Sequence, residues 1–565
     1  MSRFLMSVET VKIKDFIFST NKLKVVRGAS YLLDYLNQVK IREILENNGI
    51  KEENIIYIGA GNAKFFVETE KEAEKIKTEI EAVYRKMAPN AKIVICYKET
   101  KYGTGEKSDK KIWDTLDDVA TEIAIAKNKG FSTLNIDLPF VEKCHICNKN
   151  PAEVSVKNLE EDLDKLKIEE EYLNSKNIED LKEQLINQSS KDGKICEECL
   201  RKIIFSNLIK EDKAETGFYH KIKNVKINGE KFNIKTDINT IDQYQEGNSF
   251  IGFMYADGDG LGDFLKNIKD KYKDGDKNKK ENLSEDDYIE FLKDFSKKLD
   301  ENTKEALIDV LLNKDIENSD RELKFEKGIV GEFLIVGGDD VCAVFSPKHV
   351  FNIAERFQKR FEKKMEKYRK DKKIEDRITS SCGVVISKAK TPMYYLFDQA
   401  LILQKKAKAK RYEILKDNKK EQATGYIDFQ VIGAEGCVNI ENFRKNISKT
   451  IERPYGIDEK SEKIKNFSEL YHLIRGLKKI GFPKTKLRYI YDLKRNDIPE
   501  EYEKKMEFIN VLSKMNKEQI KFVKENWVIK DKNYFEDYNF FSENFNNIFD
   551  ILELYDFVGG DVSGN

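Results

Sequence analysis

The sequence predicts an α+β protein built on two copies of one strand–helix–strand–strand–helix–strand unit, with a cysteine-bearing module between them and helices after them. Three observations predict it. Strand-like and helix-like apolar patterns alternate in the same order twice, over residues 8–140 and 249–415. Each copy has a tight hairpin at its centre, "NIIYIGAGNAKFFVE" in the first and "EFLIVGGDDVCAVF" in the second. Two C-x-x-C pairs, Cys144/Cys147 and Cys196/Cys199, lie between the copies. The βαββαβ order is that of a ferredoxin-like domain, here duplicated. A chain of 565 residues is too long for one core. The expected domains are 1–140, 141–245, 246–420 and 421–565.

In the first copy, "VKIKDFIF" alternates apolar and polar residues and reads as a strand. "GASYLLDYLNQVKIREILENN" places Tyr31, Leu32, Tyr35, Leu36 and Val39 on one side of a helix. The hairpin strands "NIIYIG" and "NAKFFVE" follow, then the helix "EKEAEKIKTEIEAVYRKM" and the strand "AKIVICYKE". The module has a charged helical stretch between its Cys pairs, and Asn228-Gly229 marks a tight turn after them.

The second copy opens with "SFIGFMYADGDGLGDFLKNIKD", a strand, a Gly-rich turn and a helix. Residues 270–287 are polar and read as a mobile insertion. The hairpin, a helix over 349–368, the strand "RITSSCGVVIS" and the helix "MYYLFDQALILQKKAKAK" complete it. The last stretch, 421–565, is dense in Phe and Tyr and reads as a packed helical domain.

Composition excludes several classes. Acidic and basic residues balance at 101 each, which argues against a surface that coats nucleic acid on its own. No apolar run reaches the ~18–20 residues of a membrane span, and the N-terminus has no signal-peptide core, so a cytoplasmic protein is expected. None of the four His precedes an Asp, which removes an HD-type phosphohydrolase.

The candidate chemistry lies in the second copy. Asp339 and Asp340 sit at a hairpin tip between apolar strands, where adjacent carboxylates repel each other and resist burial. An exposed turn is the competing reading, since Gly and Asp are common in turns. The first copy makes the same hairpin with Gly-Ala-Gly-Asn, so the fold does not need the acids. Asp257 ends the strand that a βαββαβ sheet places beside the hairpin, so it converges with Asp339 or Asp340 on a hard cation such as Mg²⁺. Gly258, Asp259, Gly260, Leu261 and Gly262 lead into a helix and form a phosphate cradle. A calcium loop would need Glu at its twelfth position, where Ile268 stands. Together these make a two-metal nucleotidyl-transfer site. Lys408 is the candidate phosphate lysine, with Lys410 behind it; a solvated helix face is the competing reading. Cys144, Cys147, Cys196 and Cys199 read as two half-sites of a tetrahedral structural Zn²⁺; a redox pair is the competing reading, and it would need neither the second C-x-x-C nor this place between domains. His145, inside the first pair, is a poor ligand.

In their order, these pieces resemble the Cas ten family, the large palm-domain subunits of type III CRISPR effector complexes. "GASYLLDYLN" and "GAGN" are similar to the family's first, non-catalytic palm, and "CHIC" and "CEEC" to its zinc module. "ADGDGLG", "GGDD" and "CGVVISKAKTPMYYLFDQALILQKKAK" are similar to its catalytic palm, and "ERPYGIDE" and "GFPKTKLRYIYDL" to its C-terminal helical domain.

The resemblance implies cyclic oligoadenylate synthesis from ATP between two palms, as an antiviral signal. It implies metal binding and catalysis at Asp257, Asp339 and Asp340 with Mg²⁺ or Mn²⁺. It implies phosphate contacts at Gly258–Gly262, Gly337 and Gly338, and an acceptor nucleotide near Gly28 and Ser30. Expected partners are nucleoside triphosphates with other CRISPR subunits and RNA, or a homo-oligomer if the chain stands alone. The HD nuclease of the commonest members does not appear in this sequence, so their DNase activity is not expected. The alternatives are a cyclic dinucleotide synthase and a non-catalytic nucleotide-binding scaffold.

Overall fold

The computed structural model describes residues 3–558 except 106–108, 130–139, 167, 169–174, 212, 228–229, 232–249, 275–283, 316–322, 324–330, 417–423, 434–438, 458–465, 496–500 and 528–543. The turn expected at Asn228-Gly229 lies outside the described residues, as does Cys437. The architecture is α+β, as expected.

The first unit runs β1 (Arg3–Val11), α1 (Leu23–Tyr35), β2 (Ile55–Gly59), β3 (Asn62–Val67), α2 (Glu70–Met87), β4 (Lys92–Thr100) and α3 (Ile112–Asn128). Its sheet has the order β2-β3-β1-β4, with every neighbouring pair antiparallel. That is the ferredoxin-like arrangement. The first strand lies upstream of the expected one: "VKIKDFIF" turns helical at Ile13–Ile17. Leu5 packs into one core while Met6 and Val8 pack into the other, so β1 is buried on both faces and shows no alternation. The helix after β1 continues through a π turn at Leu36–Lys40 into Ile41–Asn47. The start of α2 is fixed by a capping box between Thr69 and Glu72.

The module holds α4 (Glu197–Lys210) and α5 (Gly217–Lys223). Helix α4 packs closely on α1. A Cβ on Gly28 would fall 1.6 Å from the Lys202 carbonyl oxygen, so only glycine allows this approach. The four cysteine Sγ atoms all lie within 4.8 Å of one another.

The second unit runs β5 (Phe250–Gly258), α6 (Leu261–Asp274), α7 (Glu285–Leu311), β6 (Gly331–Gly337), β7 (Asp340–Phe345), α8 (Pro347–Asp371), β8 (Ser380–Lys388) and α9 (Met393–Lys416). Two strands follow, β9 (Tyr426–Ile432) and β10 (Tyr455–Gly456). The sheet order is β6-β7-β5-β8-β9-β10, the ferredoxin-like core plus two strands, with β9 parallel to β8. The sheet thus runs past residue 420, where the sequence suggested a boundary. The polar stretch 270–287 is helical at both described ends: α6 reaches Asp274, and Ser284 caps α7 with a box to Asp287. Later helices at Phe467–Lys479, Lys484–Arg495, Glu501–Ser513, Lys517–Asn526 and Ile548–Leu554 extend the core on the α8 side, where Phe351 stacks on Phe467.

The units pack reciprocally. Helix α1 of the first lies on β6 of the second, and α7 of the second lies on β2 of the first. At the first contact Arg27 donates to Glu332 through Nε and through Nη2, the latter at 2.7 Å, with both side chains buried. Tyr219 on α5 also donates to Glu332, at 3.2 Å. Among the described residues no helix is long and apolar enough to cross a membrane.

Candidate active site

The central hairpins of the two units share a register. Gly59 pairs with Asn62 and Gly337 with Asp340, leaving Ala60-Gly61 and Gly338-Asp339 as two-residue turns. Gly338 has φ +61°, a left-handed conformation that glycine adopts freely. In the second unit Asp340 begins β7, one step before the pairing of Val341 with Ala256, so Asp257 comes to its side. Asp339 leans over the end of β5: a Cβ on Gly258 would lie 2.8 Å from its Oδ2.

Lys408 of α9 completes the group. Its Nζ donates to Asp257 Oδ2 at 2.6 Å and to the Gly258 carbonyl at 2.7 Å. Burial acts to lower the Lys408 pKa, but the Asp257 carboxylate outweighs it and holds the amine above its ordinary value. Gln404, one turn earlier on α9, donates to the same Asp257 oxygen at 3.3 Å. Tyr255 donates its hydroxyl to Asp340 Oδ1 at 2.8 Å. Burial, then the charges of Asp340 and Asp257, push the Tyr255 pKa far up, so it keeps this proton.

Asp339 and Asp340 are partly buried. Burial, then the Asp340 and Asp257 charges, raise Asp339 well above the usual carboxylate range. Burial, then the Asp257 charge, push Asp340 up to about 7. This is a like-charge cluster that a divalent cation would relieve, and carboxylates suit Mg²⁺ or Mn²⁺. The acids are apposed but not closed into a shell. Among the described residues only the four cysteines bring three or more ligand atoms within 4.8 Å of one another.

A cavity of about 260 Å³ lies beside Asp340, between the units. Its walls include Ser30, Asp34, Ala60 and Gly61 from the first unit and Tyr255, Ile335 and Gly337 from the second. Of the residues the sequence singled out, Asp257, Asp339, Asp340, Lys408, Gly258, Gly337 and Gly338 come together, with Ser30 across the cavity. Gly260, at φ +66°, and Leu261 and Gly262 carry the chain from β5 into α6.

Three candidates take other positions. Gly28 is buried against α4 and does not face the cavity, because helix packing uses its missing side chain. Asp259 is buried behind the strand end: Thr379 and Ser381 donate to its Oδ2 at 2.7 and 3.0 Å and Arg411 lies 3.8 Å away, while its Oδ1 has no hydrogen-bond partner among the described residues. Lys410 pairs with Glu413 on the helix surface. Sequence reasoning also missed a pair in the first unit. Glu9 pairs with Asn62 as Asp257 flanks Asp340, and Lys127 of α3 bonds Glu9 as Lys408 of α9 bonds Asp257. The first unit thus keeps the acid–lysine pair and lacks the hairpin acids.

The cysteine cluster has the geometry of a structural metal site. The Cys147 and Cys196 sulfurs lie 3.9 Å apart, close to the roughly 3.8 Å edge that tetrahedral Zn–S bonds of about 2.3 Å imply. Backbone N–H groups of Ile146 and Cys199 donate to Cys144 and Cys196 sulfurs, each at 3.4 Å. His145 stays outside, with its Nε2 3.4 Å from Glu142.

Residues 250–417 match the family profile described as Cas10/Cmr2, second palm domain, and residues 3–142 match the Csm1 subunit domain B. The two matches fall on the two ferredoxin-like units and together span more than half the chain. The chain belongs to the Cas10 family of type III CRISPR large subunits. Solved structures agree in fold with this Cas10 family chain. It is similar to the Csm1–Csm4 cassette in complex with cA4, at 13% identity and TM-score 0.52, over 98% of this chain and 70% of the other. The cassette in complex with pppApA gives 14% identity and TM-score 0.52, over 98% and 69%. Csm1 in T.onnurineus gives 15% identity and TM-score 0.51, over 98% and 69%. No curated protein matches the chain in sequence.

Proposed function

We propose that this chain joins nucleoside triphosphates, ATP first among them, into cyclic oligonucleotides that signal in antiviral defence. The meeting of Asp257, Asp339, Asp340 and Lys408 beside a cavity shared by the two palms carries this reading. The family supports nucleotidyltransferase or cyclase chemistry in general. In the proposed step a 3′ oxygen of one nucleotide bonds to the α-phosphorus of the next, and the bond to the leaving pyrophosphate breaks. The same step on the chain's own end closes a ring.

Asp257, Asp339 and Asp340 would hold Mg²⁺ or Mn²⁺, which when bound polarises the attacking hydroxyl and neutralises the leaving phosphates. Lys408 orients Asp257 and sets a positive charge where β5 ends and α6 begins. The N-terminus of α6 favours phosphate, Gly262 there borders open space, and Gly258 leaves room for Asp339. Tyr255 fixes the direction of Asp340. Ser30 faces the second nucleotide from the first palm. The four cysteines would hold one structural Zn²⁺. The similar cassettes contain Csm4 beside Csm1 and hold cA4 or pppApA, which supports a Csm4-like subunit as partner and an oligoadenylate as product.

The test is mass spectrometry of products from each of the four triphosphates with Mg²⁺, with and without RNA. Wild type is expected to release pyrophosphate and form rings from ATP. The double variant Asp339→Ala, Asp340→Ala is expected to fold and form none. Persisting turnover in that variant would sink the reading.

A further inference from the structure

Helix α7 has no assigned role at the site, yet one of its side chains reaches the metal-binding turn. Asp300 Oδ1 accepts the Gly338 backbone N–H at 3.0 Å. Its other oxygen accepts from Lys304 at 2.8 Å, one helical turn further on. Lys304 is itself buried, so its ammonium is fixed in place and is not free to follow solvent. Each Asp300 oxygen thus accepts one hydrogen bond from within this unit. Gly337 is also against this carboxylate: a Cβ there would lie 3.7 Å from Oδ1.

The bonded group is the peptide that enters the left-handed residue of the turn. The direction of that peptide sets where the next two side chains, Asp339 and Asp340, point. The first palm ties its hairpin to the equivalent helical segment in another way: Asn37 Nδ2 donates to the Asn62 carbonyl at 3.2 Å. A hold from helix to hairpin thus exists in both palms, but only the palm with the acids uses an ion-paired carboxylate. A charge-assisted acceptor is the stronger of the two.

We infer that Asp300 is a positioning residue for the metal-binding turn, held in register by Lys304. This rests on the nucleotidyl-transfer reading above for its functional part, and on the turn alone for its structural part. Asp300→Ala removes the acceptor. Asp300→Asn keeps an oxygen for Gly338. Lys304→Met keeps Asp300 but frees it.

The full chain is tested in two ways. Without metal or nucleotide, amide hydrogen exchange over residues 336–341 is expected to quicken about tenfold or more in Asp300→Ala and about threefold in Lys304→Met, while β5 and β8 hold wild-type rates. With Mg²⁺ and ATP, Asp300→Ala is expected to lower kcat about tenfold or more with KM within about twofold, and Asp300→Asn to recover most of both. Unchanged exchange at the turn in both Asp300→Ala and Lys304→Met overturns the inference. So does exchange that rises equally through β5 and β8, or a rise in KM with kcat intact. If Asp300→Ala does not fold, Lys304→Met and Asp300→Asn decide by the same criteria. If wild type releases no pyrophosphate, the nucleotidyl-transfer reading fails, while the exchange data still decide the role of Asp300 in the turn.

Discussion

Ala60 and Gly338 meet at the boundary between the palms: a Cβ on Gly338 would stand 3.1 Å from the Cβ of Ala60. The two hairpin tips thus touch, one with acids and one without. Replacing Gly338 by alanine would add a tight contact and force a side chain into φ +61°. Gly338→Ala is expected to destabilise the protein by about 1–2 kcal/mol and to displace Asp339. Thermal unfolding and pyrophosphate release measure the two effects.

Lys408 is expected to matter more to turnover than to folding. Its Nζ is bound to Asp257 and the Gly258 carbonyl, at the point where negative charge would build up. Lys408→Met should lower pyrophosphate release on the order of 10²-fold. Lys127→Met, in the half-exposed pair with Glu9, should shift the folding free energy by less than about 1 kcal/mol. A melting curve and a rate for each variant check both.

The cysteine cluster is expected to bring about one zinc per chain through purification, read by metal analysis. Cys196→Ser should reduce that stoichiometry, because it removes one of the four clustered sulfurs while serine keeps the N-cap of α4. Gly28→Ala should damage the same region by another route, since its Cβ would overlap the Lys202 carbonyl. A loss of about 1–3 kcal/mol is expected from such overpacking, measurable by denaturant unfolding.

Glu362 predicts a pH dependence of stability away from the acids. It is buried on α8 and accepts from the Gly425 N–H at 2.6 Å and the Thr424 hydroxyl at 3.1 Å. Burial raises it from 4.5 to about 7, against the pull of Arg377. The folded state therefore holds this proton more tightly than the unfolded state. Its contribution is full below about pH 4.5 and is lost as pH rises through about 7, on the order of 3 kcal/mol in all. Glu362→Gln should flatten that part of the curve, seen by unfolding at about pH 5 and about pH 8.

The sequence made the two hairpins legible because apolar strands flank a turn of Gly, Asp and Asn on each side. Asp257 and Lys408 were legible for the same reason: each ends or lies on an element whose period is plain. Asp259 was misread because adjacent motif positions carry no sign of which partners sit behind the strand; Thr379, Ser381 and Arg411 come from elsewhere in the chain. Gly28 was misread because a glycine in a helix looks alike whether a ligand or another helix approaches it. The α7 helix, and Asp300 with it, hid behind a charged stretch that reads as loop. Its local signals were Ser284 three residues before Asp287, a helix start, and the helical spacing of Tyr288, Phe291, Phe295 and Leu299. The strand at Tyr426–Ile432 was passed over because it follows a polar segment and joins the sheet through a long crossover.

The Arg27–Glu332 pair has a mechanical outcome. Each ion is shielded from water and is neutralised by the other, across the joint between the palms. Removing either partner alone would leave the other charge buried and unpaired, at a cost of roughly 3–5 kcal/mol. The pair is thus a rivet between the palms, and it tolerates the loss of neither half.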